Sequence, residues 1–477
     1  MSACHSKRLT AVMLSLVIGC WGCSPDSGGD TTCDPLAPEC ADGRVCESVS
    51  GGESQCLAPL VIRGRVLNIA DDEPIADARV QAVDANGATV GTSAATDSDG
   101  AYELIVPADR DADLMPLAGS YTLRAQAASF IEFPTAIRPA LPLDAMTAAA
   151  EDDGWIIENA LTTIKLIALP GDTSDLGSIS GTIQAETLAG LLLVAENADT
   201  ALTGFSDGEG AYIIFNVPAG TYSVQGYAAG VQLDAVSTSV QAGEDQTGID
   251  LTESNRPLNT VSGSVQIVNA PGGSLTSVIL AVESTFVEAA GRGTVPPGLR
   301  VGEVDGAFVI EDIPDGSYVV LAAFENDGLV RDPDQSISGT QVVRIEVPNP
   351  DQGNMLSISE GFKVTGALAV VSPGSDGPEE VDTTTPVLEW EDDSSEDGYE
   401  IRVFDSFGEE IWSAEIGSIS GAETVTHTYA GPPLEIGMFY QFRATSFRER
   451  NGPRTAISTT EDLKGVFFYL GDAPAAP

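Results

Sequence analysis

The sequence predicts an all-β protein, a series of tandem β-sandwich domains. Three observations predict it. Short apolar runs alternate with polar residues at period two, the signature of half-buried strands. Turn residues punctuate those runs, with 50 Gly and 28 Pro that follow no period. One phrase recurs three times: SDGAYELIVP with AGSYTLRAQA (98–127), SDGEGAYIIFNVPAGTYSV (206–224) and VDGAFVIEDIPDGSYVVLAA (304–323). A length of 477 residues leaves room for roughly three or four domains.

The N-terminus reads as an address. Lys7 and Arg8 precede a largely apolar run, Leu9 to Gly19, which is too short to span a bilayer and fits a signal peptide over 1–19. The run ends Val17-Ile18-Gly19-Cys20, which resembles a bacterial lipobox. That resemblance implies lipidation at Cys20, with Cys23 as the alternative. Trp21, rather than Asp, follows Cys20. This favours the outer membrane, so the expected location is the cell envelope, as an outer-membrane lipoprotein anchored by its lipid.

Residues 20–32 are polar and Gly-rich, a flexible tether. Cys33, Cys40, Cys46 and Cys56 then crowd into 33–58. In an exported chain four such cysteines read as two disulfides, in any of three connectivities. They show no CxxC spacing and no nearby His, which argues against zinc. Lipidating Cys20 leaves Cys23 without a partner, and that conflict stays open.

Three copies of one β-module follow, expected over 60–170, 177–253 and 259–350. Each opens with a strand carrying a glycine: Gly64, Gly181 or Gly263. Each has an acidic turn ending in Gly, followed one residue later by an aromatic: Gly100/Tyr102, Gly210/Tyr212 and Gly306/Phe308. Glycine supplies the positive φ that hairpin turns demand. Each then has Gly-x-Tyr starting another strand: Tyr121, Tyr222 and Tyr318. In the first copy that strand alternates Tyr121, Leu123 and Ala125 on a dry face with Thr122, Arg124 and Gln126 on a wet one. The first copy also carries an insertion, ADRDADLMP, expected as a surface loop. Middle strands are read in ARVQAVD, LLLVAEN and SVILAVE, and closing strands in LTTIKLIAL, QTGIDLT and QVVRIEV.

These landmarks, with Pro74-Ile75-Ala76-Asp77-Ala78-Arg79-Val80 in the first copy, resemble the carboxypeptidase regulatory-like domain. The resemblance covers about 61–350 and implies transthyretin-like sandwiches that act as non-catalytic accessory units of exported proteins. The last region, 362–471, carries Trp390, Tyr399 and Tyr440. It resembles a fibronectin type III domain, which implies a buried Trp390 and a tyrosine corner at Tyr440. Tandem sandwiches on short linkers are expected to extend as a rod.

Chemistry is sparse. The two histidines are His5, within the signal peptide, and His427, on an expected strand. No HExxH pair or G-x-S-x-G elbow occurs, so neither a zinc peptidase nor a serine hydrolase is indicated. Asp97-Ser98-Asp99-Gly100 opens like a calcium loop, but the twelfth position is Ala108. An EF-hand therefore fails, and a looser calcium site stays open. A net charge of −49 with four lysines excludes a nucleic-acid partner. The expected function is a non-catalytic, lipid-anchored envelope scaffold or adhesion module, with no catalytic residues, metal or cofactor. The alternative is a carbohydrate-binding accessory protein, for which Trp155, in an acidic segment, is the tryptophan expected to be free. The partners expected are the membrane, through the anchor, and a protein or polysaccharide at the cell surface.

Overall fold

The computed structural model describes residues 32–33, 40–41, 43–84, 89–135, 138–151, 154–268, 276–288, 292–302, 304, 306–324, 342–359, 361–365, 367–393, 396–419, 421–449, 454–461 and 464–471. Lipidation candidates Cys20 and Cys23 lie outside these. The described chain is all-β, and its helical residues are confined to three single 3₁₀ turns. Among the described residues no helix is long and apolar enough to cross a membrane.

The three modules repeat one topology. In module 1 the opening strand Leu60–Asn68 pairs antiparallel with the aromatic strand Ala101–Val106. On its other edge it pairs parallel with Gly154–Ile157 and Thr163–Ala168. The facing sheet runs Thr89–Ala95, Arg79–Asp84, Ser120–Gln126, Leu143–Asp144. Module 2 repeats this, with Gly177–Gln184 between Ala211–Val217 and the short closing strands Asp245–Gln246 and Leu251–Thr252. Module 3 repeats it again, with Asn259–Val268 between Ala307–Ile313 and the closing strands Met355–Ser357 and Phe362–Thr365.

Module 3 corrects the sequence reading. QVVRIEV is not its closing strand: Val343–Val347 pairs with the Gly-x-Tyr strand Gly316–Phe324 in the opposite sheet. The module does not end at 350, because Phe362 is buried in its core. Residues 362–365 therefore leave the fourth domain, whose strands start at Val370–Ser372. The true closing strands are three and four residues long, too short to show a period.

The glycine and the aromatic prove to be one feature. Gly64 lies directly across from Tyr102, Gly181 from Tyr212 and Gly263 from Phe308. At that level the parallel closing segment is interrupted in all three modules. In modules 1 and 2 the carbonyls of Thr162 and Ile249 there lean over the glycine, where a Cβ would sit well inside 3.0 Å. The tyrosine hydroxyl donates to that same carbonyl: Tyr102 to Thr162 at 2.7 Å and Tyr212 to Ile249 at 2.5 Å. Phe308 has no hydroxyl, and its ring fills the space above Gly263 instead. The tyrosine of Gly-x-Tyr also closes a loop. Tyr121, Tyr222 and Tyr318 donate to the carbonyls of Pro107, Pro218 and Pro314, the last residue but one before the glycine in modules 2 and 3.

The fourth domain is a sandwich of Val370–Ser372, Val387–Glu391 and Thr424–Thr428 against a larger sheet centred on Gly398–Asp405 and Phe439–Arg448. Trp390 is fully buried against Tyr399, with ring centroids 5.5 Å apart. The Tyr440 hydroxyl accepts the Glu435 N–H at 2.8 Å.

Candidate functional site

The cysteines pair as Cys33–Cys46 and Cys40–Cys56. The sulfurs of Cys33, Cys40 and Cys56 lie within 4.8 Å of one another, but each belongs to a bridge and none is a thiolate that could hold a metal. This segment is clamped to module 1 by a buried ion pair. Arg110 Nε donates to Glu47 Oε2 at 2.5 Å, and both side chains are 1% exposed. The other Glu47 oxygen accepts the Ala108 N–H, while Arg110 Nη2 donates to the Ala58 carbonyl. Desolvation raises the Glu47 pKa above the ordinary carboxylate range, outweighing the opposing pull of Arg110. Arg110 belongs to the insertion read as a surface loop. The insertion is exposed at Asp109 and from Ala112 to Met115, as a surface loop is, and through Arg110 it is also the docking site of the disulfide segment.

The modules are joined by a repeated contact. Asn216 sits in a strand with φ of +58°. Its Nδ2 donates to the carbonyls of Ala127 and Phe130, at 3.1 and 2.8 Å, and its Oδ1 accepts the Ser129 N–H at 2.7 Å. Asp312, at the matching place in module 3, also has positive φ, and its carbonyl accepts the Gly230 N–H at 2.8 Å. Ser129 and Gly230 are themselves matched, each ending the same Ala-Ala turn with positive φ. Asn216→Gly should lower stability by roughly 2–3 kcal/mol through the lost hydrogen bonds. Asn216→Ala should cost about 1 kcal/mol more, because alanine tolerates the left-handed backbone poorly. Equal melting curves for the two variants would count against this account.

The rod expectation is also corrected. Arg138, only 6% exposed, donates from Nε to Glu409 of the fourth domain at 3.0 Å and from Nη2 to the Lys165 carbonyl at 2.7 Å. Phe439 and Val466 of that domain join the core of module 1. Leu192, Val194 and Tyr227 of module 2 join the core of module 3. The chain folds back on itself because residues that look water-facing bond to neighbouring modules. Gln81 Nε2 donates to the Ser206 carbonyl and Gln126 Nε2 to the Thr203 carbonyl.

Where modules 1, 2 and 3 meet they leave a groove of about 310 Å³. Its floor is the wet face of module 1, including Thr122, Arg124 and Gln126. Module 2 contributes Thr203 and Phe205, and module 3 contributes Val287 and Arg292. A second cavity of about 510 Å³ adjoins it and shares Gln126, Glu132, Thr203 and Val287. The Arg124 guanidinium lies 3.6 Å from the centroid of the Phe205 ring. Nη2 bonds to Thr89 Oγ1 at 3.3 Å, while Nε has no partner. Burial lowers the Arg124 pKa to about 9, against the opposing field of Glu132. The sequence placed Arg124 on a wet face; the signal it held was an arginine in a chain of 22 basic and 71 acidic residues.

The other singled-out residues have structural places. Asp97 Oδ1 accepts the N–H groups of Asp99 and Ala101, and Asp207 Oδ1 those of Glu209 and Ala211. Asp405 builds the same turn in the fourth domain, with Phe407 and Glu409. His427 stacks on Trp412, with centroids 5.7 Å apart. Trp155 is not free: it is half-buried against the core of module 1. The aromatic side chains whose surroundings the structure describes are all buried or half-buried.

No protein family matches this chain, and no curated protein does. Among solved structures the chain is similar to the Bacillus anthracis TIE protein, at 12% identity over 86% of this chain and 73% of that one, with a TM-score of 0.15. It is similar to a streptococcal ancillary pilin, at 12% identity over 64% and 99%, with a TM-score of 0.17. A DUF3823 family protein from Bacteroides ovatus matches at 12% identity over 44% and 98%, with a TM-score of 0.21. At these scores the likenesses carry no argument about what this chain does.

Proposed function

We propose that the chain is an exported, non-catalytic, lipid-anchored scaffold of the cell envelope, whose modules lock into one compact body that meets a protein or polysaccharide at the cell surface. In this reading modules 1–3 are carboxypeptidase regulatory-like sandwiches and the fourth domain is fibronectin type III-like. One observation carries it: the residues that the repeat shares are committed to the backbone. The tyrosine hydroxyls cap carbonyls, and the turn aspartates cap amides. None of these groups is left poised beside a nucleophile or base. The two disulfides favour an oxidising compartment.

Radiolabelled palmitate tests the anchor. Incorporation should be lost in Cys20→Ala and kept in Cys23→Ala; the reverse pattern would move the anchor to Cys23, and labelling of neither would remove it. Small-angle scattering tests the body. A compact chain of this size has a radius of gyration of roughly 23 Å, whereas an extended string of sandwiches would scatter with a far larger value.

A further inference from the structure

We propose that the groove between modules 1, 2 and 3 binds a small carboxylate-bearing ligand with an apolar body, gripped by the Arg124 guanidinium. This goes beyond the scaffold reading and does not depend on the anchor. The charge points to it first. Among the described residues Arg124 makes no ion pair: its Nη2 bonds to Thr89 Oγ1, and its Nε bonds to nothing. The nearest acid acting on it, Glu132, is occupied: its Oε2 accepts from Gln126 Nε2 at 2.8 Å and from Thr203 Oγ1 at 3.2 Å. A half-buried cation without an ion partner is out of keeping with a chain of net charge −49.

The geometry then selects the ligand. A guanidinium presents a planar fork of donors that matches a carboxylate. Here the Phe205 ring takes one face of that fork, Nε is buried and Thr89 Oγ1 takes one Nη2 hydrogen, which leaves Nη1 and the second Nη2 hydrogen for the ligand. The remaining walls are largely apolar, with Val83, Phe133, Pro134 and Val287. A volume of about 310 Å³ corresponds to roughly ten water molecules, the scale of an acylated amino acid. Arg124 and Arg292 against Glu132 leave the lining with one net positive charge, which suits a single negative charge better than a doubly charged phosphate.

The test uses the full chain with N-acetylphenylalanine, its neutral C-terminal amide and inorganic phosphate, read by calorimetry. The acid should bind saturably by the millimolar range. The amide should bind at least about tenfold more weakly, the loss of a charge-assisted hydrogen bond. Arg124→Gln should remove the difference between acid and amide. Because Arg124 also touches module 2, a second variant guards against simple misfolding. Val287→Asp, exposed on module 3, should weaken the acid more than the amide, because it adds a negative charge beside the carboxylate as well as removing an apolar wall, while leaving thermal unfolding unchanged. The proposal is overturned by absence of saturable binding, by equal affinity for acid and amide, by phosphate binding more tightly than the acid, or by an Arg124→Gln variant that binds the acid as before.

Discussion

Replacing Arg110 with alanine should destabilise module 1 and its docked disulfide segment by about 3–5 kcal/mol, the largest loss expected from a single side chain here. The reason is asymmetry. Glu47 would keep its place among buried groups with no cation to balance it, and the Ala58 carbonyl would lose its donor. Glu47→Ala should cost a similar amount by stranding Arg110. The double variant Glu47→Leu with Arg110→Met should recover most of the loss, because apolar pairs commonly replace buried ion pairs at little cost. Denaturant unfolding measures the loss, and limited proteolysis of 34–58 shows whether the segment has undocked. An Arg110→Ala protein that unfolds like the parent would mean that the clamp is an incidental contact.

The same pair sets a pH dependence. The folded pKa of Glu47 is raised above its ordinary value of 4.5. In the window between those two values the folded chain therefore holds more protons than the unfolded one. Stability from this group falls as pH rises through that window, and is level above it. Glu47→Gln should flatten the slope.

How much of this was legible differs by kind of contact. The strands were legible because one face of each is dry, and period two records that directly. Gly64, Gly181 and Gly263, with their aromatics, stood out because the repeat printed them three times. What the pattern does not record is who covers the wet face. Thr122, Arg124 and Gln126 alternate as they would against water, yet Gln126 bonds to the backbone of module 2 and Arg124 lies on a ring of that module. Asn216 has the look of any polar strand residue, and its left-handed backbone leaves no mark in composition. Arg110 was hidden by its setting, an acidic insertion with the character of a loop. Disulfide connectivity was out of reach for a different reason: spacing fixes neither which cysteines meet nor the two-stranded Val45–Glu47 and Gln55–Leu57 hairpin that brings them together.

Alanine at the opening-strand glycines should separate the three modules by mechanism. At Gly64 and Gly181 the new Cβ meets a backbone carbonyl, that of Thr162 or Ile249, well inside 3.0 Å. A carbonyl cannot change rotamer, so the closing segment itself must withdraw. Withdrawal breaks the Tyr102 or Tyr212 hydroxyl bond and loosens the parallel pairing on either side. Each of these two substitutions should therefore cost more than about 3 kcal/mol, beyond ordinary overpacking. At Gly263 the obstacle is the Phe308 ring, 2.6 Å from the added Cβ. A buried ring is confined but can tilt, so Gly263→Ala should cost about 1–3 kcal/mol. Adding Tyr102→Phe or Tyr212→Phe to the matching glycine variant should cost little further, since the hydroxyl bond is already gone. Thermal unfolding of the five proteins reads this order. Equal losses at all three glycines would show that the carbonyl is not the obstacle, and that the glycine serves only the packing of its aromatic.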